Sequence, residues 1–146
     1  MAEIVLYHHI QGLTDGIAAF AEELRGSGHT VHVPDMFEGR TFGSIEEGFA
    51  CAGETGFDTI RQRGVADTPE SSSGLVYAGF SFGVTIAQRL AQTQDDARDL
   101  ADSAPSAELF VYPGDQHLFA DSSLVSFDAG ATELLLERVR EFFVAI

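Results

Sequence analysis

Ser81 stands at the centre of Gly79-Phe80-Ser81-Phe82-Gly83, a G-x-S-x-G pattern, and His117 follows 36 positions later in VYPGDQHLF. A serine hydroxyl is a weak nucleophile until a base takes its proton, and histidine can do that near neutral pH. The pattern makes a nucleophile elbow when a strand precedes it and a helix follows. Its spacing is steric: the central residue takes a strained backbone conformation, and the flanking glycines let strand and helix pass closely. The serine oxygen then projects from the carboxyl end of the sheet. The next amide, that of Phe82, points to the same place from a helix N-terminus and suits an oxyanion. The plainer alternative is a strand-to-helix corner with an idle serine, because five residues rich in glycine are a weak pattern alone.

The other chemical groups are sparser. His8 and His9 end the first apolar run, but adjacent strand residues face opposite ways and make a poor chelating pair. His29 and His32 lie toward the opposite end of a neighbouring strand, so no metal site and no cofactor is expected. The single Cys51 excludes an internal disulfide, reads as inert packing, and fits a reducing cytoplasm.

The elements that must position Ser81 and His117 alternate. EIVLYHHI (3–10) is rich in Ile, Val, Leu and Tyr and suits a buried strand. Thr14 and Asp15 offer N-cap chemistry for a helix bearing Ile17, Phe20, Ala21 and Leu24, which stops at Gly26 and Gly28. HTVHVPD (29–35) is a second strand. Ser44 and Glu47 form an S-x-x-E capping box opening a helix to about Arg63. Gly48, Gly53 and Gly56 weaken that helix by up to ~1 kcal/mol each relative to alanine, so a break is expected there. ADTPESSSG (66–74) is a surface loop, LVYAGF a third strand, and Ile86, Ala87, Leu90 and Ala91 share one face of the helix after Ser81. AELFVYPG (107–114) reads as a fourth strand, and Ser126 or Asp128 caps a last helix carrying Leu135, Val139 and Phe142. The alternation implies parallel β-α-β units in a three-layer α/β/α arrangement. The simplest strand order is 2-1-3-4, and its switch point would gather His9, Ile10 and Ser81.

The 146 residues suit a single domain, 1–146, with 45% hydrophobic residues and no linker or repeat. No run approaches the ~18 apolar residues of a membrane span, and the N-terminus reads as a strand rather than a signal peptide. With 23 acidic and 8 basic residues the formal charge is −15, which repels nucleic acid and anionic membranes. An anionic ligand would need a local arginine.

The chain resembles the dienelactone hydrolase family of α/β-hydrolases in LYHHIQGLT, VHVPDMFEGRTF, YAGFSFG and SAPSAELFVYPGDQHLFADSSL, taken in that order. The resemblance implies a truncated α/β-hydrolase fold, a catalytic Ser81 and His117 as base. It implies the amides of Ile10 and Phe82 as oxyanion donors and Glu38 and Arg40 in a pocket-lining loop about the substrate; His9, brought to the switch point by the strand order, is expected to contact the substrate as well. For Arg40 a solvated loop charge remains an equal alternative. The expected substrate is a small-molecule ester or lactone.

One departure is large. Only RLAQTQDDARDLADSAPS separates the elbow helix from AELFVYPG, so the family's intervening strand and its triad aspartate have no counterpart. Asp95, Asp96 and Asp99 read as surface or helix N-terminal carboxylates, and Asp115 and Asp121 are tethered too closely to His117 for a lateral approach. The triad acid is thus unassigned, and turnover below that of a complete triad is expected. Residues 83–103 suit one long helix or a tight pair; a 20-residue helix is about 30 Å long. That mismatch with a short strand allows a strand-exchanged homodimer. The competing reading is a degenerate hydrolase fold that binds a small molecule or protein without turnover.

Overall fold

The computed structural model describes residues 1–70, 74–94 and 110–146. In chain order they form β1 (Glu3–Tyr7), α1 (Asp15–Gly26), β2 (Thr30–His32), α2 (Ile45–Thr55), α3 (Phe57–Ala66) and β3 (Leu75–Gly79). A 3₁₀ turn (Ser81–Gly83), α4 (Val84–Gln94) and α5 (Ala129–Ala145) follow.

The described strands form a parallel sheet in the order β2-β1-β3, with Ile4 opposite Val31 on one side and Val76 on the other. Residues of β1 alternate between two cores, as a strand buried on both faces must. Val5 and Tyr7 pack with Met36, Phe37, Ala52, Ile60 and Ile86 from the α2, α3 and α4 side. Ile4 and Leu6 pack with Ile17, Phe20 and Leu24 of α1, against which Leu135, Leu136 and Val139 of α5 also rest. The chain is therefore of the mixed α/β class, with helices covering both faces of a central β1. Because β2 and β3 flank β1 on opposite sides, the loops leaving β1 and β3 diverge at their carboxyl ends.

Local chemistry sets the boundaries. Thr14 caps α1 by accepting from the Ile17 amide at 3.3 Å, and Ser44 caps α2 by accepting from Glu47 at 3.2 Å. The Glu47 carboxylate takes the Gly43 amide at 2.9 Å, one residue before the reciprocal capping-box partner. The break expected between 44 and 63 falls at Gly56, whose φ of 94° no helical residue can share. α3 restarts at once with Phe57.

The fourth strand differs from expectation. Residues 107–109 lie outside the described residues, and 110–114 form no strand. Pro113 lacks an amide donor, Gly114 turns at φ 109°, and Val111 is 84% exposed, so residues 110–114 do not join the ladder. The long-helix reading of 83–103 can be followed only to Gln94, and Asp95, Asp96 and Asp99 lie outside the described residues.

Candidate active site

The elbow forms as its spacing requires. Phe80 continues the β1 ladder, its amide donating to the Tyr7 carbonyl at 2.9 Å, and the chain then turns through Ser81 at φ 48°. A serine in this left-handed region costs on the order of 1–3 kcal/mol and persists only where its surroundings impose it. The surroundings are the two glycines. A Cβ on Gly79 would lie 2.5 Å from the Gly83 carbonyl carbon, and one on Gly83 would lie 2.3 Å from the Tyr7 carbonyl oxygen. No side chain fits at either position, so β3, α4 and the end of β1 are locked together around Ser81.

The Ser81 hydroxyl and His117 Nε2 are 2.9 Å apart, within hydrogen-bond reach across 36 residues. With Nε2 unprotonated, Ser81 Oγ donates to it, which is the arrangement a general base needs. His117 rides on a turn in which Leu118 takes φ 61° and the Asp121 amide donates to the Leu118 carbonyl at 3.1 Å. Both members of the pair are exposed. Among the described residues no carboxylate bonds His117; Asp115 is engaged by Gln116 Nε2 at 3.0 Å.

The two expected oxyanion residues share one core. Phe82, the residue after Ser81, is 9% exposed and Ile10 is 2% exposed; both belong to the cluster around Tyr7 and Ile86. The Arg61 guanidinium carbon lies 5.6 Å from the centre of the Phe82 ring. α2 presses on the Ile10 backbone, where a Cβ on Gly48 would be 2.2 Å from the Ile10 carbonyl oxygen. The glycine that weakens α2 is therefore what lets the helix brace this loop.

His117 stands between two hollows. A groove of about 470 Å³ contains both Ser81 and His117 and is walled by Phe20, Phe80, Tyr112 and Leu135. A cleft of about 660 Å³ contains His117 but not Ser81, and is lined by Gln11, Phe42, Ile45, Leu124 and Val125. A nucleophile must touch its substrate, so the smaller groove matters more to Ser81 despite its lesser volume.

The remaining expected site residues are placed elsewhere. His9 does not face either hollow; it is fully buried, with Nε2 2.6 Å from Asp121 Oδ2 and Nδ1 accepting from the Gln11 amide at 3.2 Å. Both ring nitrogens are occupied, which corrects its assignment as a substrate contact. Glu38 pairs with Arg63 at 3.1 Å, and Arg40 Nε donates to the Phe37 carbonyl at 3.4 Å. Neither lines the two hollows, although Thr41 next to them does.

His8 is also fully buried, its ring centre 5.7 Å from that of Phe37. Its Nδ1 meets the His9 carbonyl at 2.8 Å, and its Nε2 accepts from the Met36 amide at 3.0 Å. Burial lowers its pKa to about 4, against smaller upward pulls from the His9 carbonyl and Asp35, so the ring stays neutral. Asp121 is the group that reasoning from the sequence missed, since it was weighed only as a partner for His117. Its carboxylate accepts from His9, from Thr14 Oγ1 at 2.5 Å, and from the Ser123 amide and hydroxyl at 2.9 and 2.6 Å. Burial pushes its pKa up, but these hydrogen bonds outweigh burial and bring it down to about 2. The one available signal was an aspartate set in the apolar run HLFAD.

No protein-family model matches this sequence, and no curated protein matches it. The reading of the site therefore rests on the geometry of Ser81 and His117 and on the motifs already quoted.

Proposed function

We propose that the chain is a serine hydrolase of the dienelactone hydrolase type, with a truncated α/β-hydrolase fold, acting on small-molecule esters or lactones. The observation that carries this is the 2.9 Å contact between Ser81 Oγ and His117 Nε2, made by a serine held at φ 48° on a strand-to-helix turn. Ser81 would attack the carbonyl carbon while His117 takes the hydroxyl proton. The amides of Ile10 and Phe82 would hold the tetrahedral oxyanion, and His117 would return the proton to the departing alcohol. Water then attacks the acyl-enzyme, again with His117 as base. The groove shared by Ser81 and His117 would take one side of the ester, and the cleft beyond His117 the other.

With no carboxylate on His117 among the described residues, nothing there fixes the imidazole tautomer. Loss of that function costs about 10⁴-fold in a serine protease, with residual catalysis left. A slow enzyme is the expected result. The test is a fluorophosphonate probe with an activated aryl ester. Labelling and hydrolysis should both occur and both vanish in Ser81→Ala. Hydrolysis unchanged in Ser81→Ala would overturn the assignment.

The exposure of the pair and the lack of a carboxylate on His117 among the described residues favour a second reading, a hydrolase-like fold that binds a small molecule or protein without turnover. Saturable ligand binding with no labelling of Ser81 would select it. Cytoplasmic location and a strand-exchanged homodimer remain part of the proposal, as does the absence of nucleic-acid and membrane partners. Among the described residues no helix is long and apolar enough to cross a membrane.

A further inference from the structure

We infer that the buried His9–Asp121 pair is the positioning device of this site, tying the loop of one oxyanion amide to the turn that carries the base. This rests on the proposed hydrolase reading for its catalytic meaning, but its structural content can be measured without turnover.

The argument begins with the protons. The Gln11 amide donates to His9 Nδ1, so that nitrogen must hold a lone pair and the ring proton must sit on Nε2. Nε2–H then donates to Asp121 Oδ2 at 2.6 Å, with neither side chain exposed. The imidazole is thus a rigid spacer with one defined tautomer. One end fixes the backbone just after Ile10, and the other fixes the residue that closes the turn after His117.

Asp121 is itself over-determined. Oδ2 also accepts from Thr14, the N-cap of α1, and Oδ1 accepts twice from Ser123. The carboxylate lies so close against the first turn of α1 that a Cβ on Gly16 would sit 1.7 Å from Oδ1. Its own amide closes the Leu118 turn, one residue from His117. In a complete triad an acid holds the imidazole through its outer nitrogen. Here the carboxylate holds the backbone bearing the imidazole, through its other neighbour.

The experiment compares Asp121→Asn, Ser123→Ala, His9→Gln and His9→Asn with the parent chain. Aryl-ester kinetics, probe labelling and the imidazole resonances of His117, assigned by their loss in His117→Ala, are read together. In Asp121→Asn the side chain can no longer accept on both sides, and its amide group would face the His9 and Thr14 protons. For this variant we expect kcat to fall about a hundredfold with KM within about twofold, as for a displaced base. The His117 resonances should broaden or double. Ser123→Ala, at an exposed residue, removes one donor and should give a smaller change in the same direction. His9→Gln keeps a donor toward Asp121 and should keep a single set of His117 resonances while losing kcat. His9→Asn keeps an acceptor for the Gln11 amide but not the reach to Asp121, and should disturb His117. A folded Asp121→Asn chain with unaltered kcat and unaltered His117 resonances would overturn the inference. If the parent neither labels nor hydrolyses, the hydrolase reading falls, and the His117 resonances still decide this one.

Discussion

Gly48 in α2 lies against Ile10 so closely that a Cβ there would sit 2.2 Å from the Ile10 carbonyl oxygen and 2.9 Å from its carbon. Alanine at position 48 should gain up to ~1 kcal/mol in helix propensity. The clash with backbone prevents that gain and moves the Ile10 loop instead. Gly48→Ala is therefore expected to lower kcat for an aryl ester by about tenfold, as a misplaced oxyanion donor does. Its melting temperature should not rise. A more stable variant with full activity would show that the Ile10 loop has room to give.

The strain at Ser81 predicts an ordering of stabilities that needs no substrate. Ser81→Ala removes the hydroxyl and keeps a Cβ at φ 48°, whereas Ser81→Gly removes both. The glycine variant should be more stable than the alanine variant by roughly 1 kcal/mol, offset in part by the greater freedom of glycine when unfolded. Urea unfolding of the two inactive proteins checks this, and equal midpoints would mean the turn is unstrained.

Acid should lower the protein's stability over two adjoining pH ranges. His8 has its pKa lowered to about 4 by burial, from 6.5, so between those values the unfolded chain binds the proton that the folded chain refuses. Stability from His8 is present above about pH 6.5 and lost as pH falls toward 4, by about 3 kcal/mol in all. Asp121, lowered from 3.8 to about 2 by its hydrogen bonds, adds stability present above pH 3.8 and lost on further acidification. In His8→Asn the loss between pH 6.5 and 4 should shrink, although the variant starts less stable. A His8→Asn curve parallel to the parent would overturn this account.

The elbow glycines give a sharper stability test. Gly83→Ala places a methyl group 2.3 Å from the Tyr7 carbonyl oxygen and 2.7 Å from that of His8, both backbone atoms at the end of the central strand. A loss of at least about 2 kcal/mol is expected, in the range of overpacked cores. Gly53→Ala, where a Cβ meets nothing within 4 Å, should instead be neutral or stabilising. Thermal melts of the pair compare crowding with propensity at two glycines of the same chain.

These contrasts show what the residues could reveal in advance. The turn at Ser81 was legible because its cause is local: two glycines, an apolar strand and a helix, all within GLVYAGFSFGVTIAQRL. The break at Gly56 and the caps at Thr14 and Ser44 were legible for the same reason. The meeting of Ser81 with His117 could be anticipated only by supposing that both stand at the carboxyl end of one sheet. The His9–Asp121 pair spans 112 positions, and nothing near either residue announces the other. His9 was expected beside the substrate because the strand order brings it to the switch point with Ser81, and its burial could not be read from one strand alone. The fourth strand is not formed at 110–114, where an apolar stretch such as FVY satisfies local propensity without securing a pairing partner.

The consecutive imidazoles after β1 mark where strand alternation ends. Tyr7 and the His8 ring both lie with Met36 and Phe37, whereas His9 turns to Asp121 and the cap of α1, so the backbone swivels just past Tyr7. An extra residue inserted between Tyr7 and His8 would leave the ladder of β1 intact while carrying both rings out of register with their partners. Such a chain should therefore still form its sheet but lose the joint that sets His117 in place.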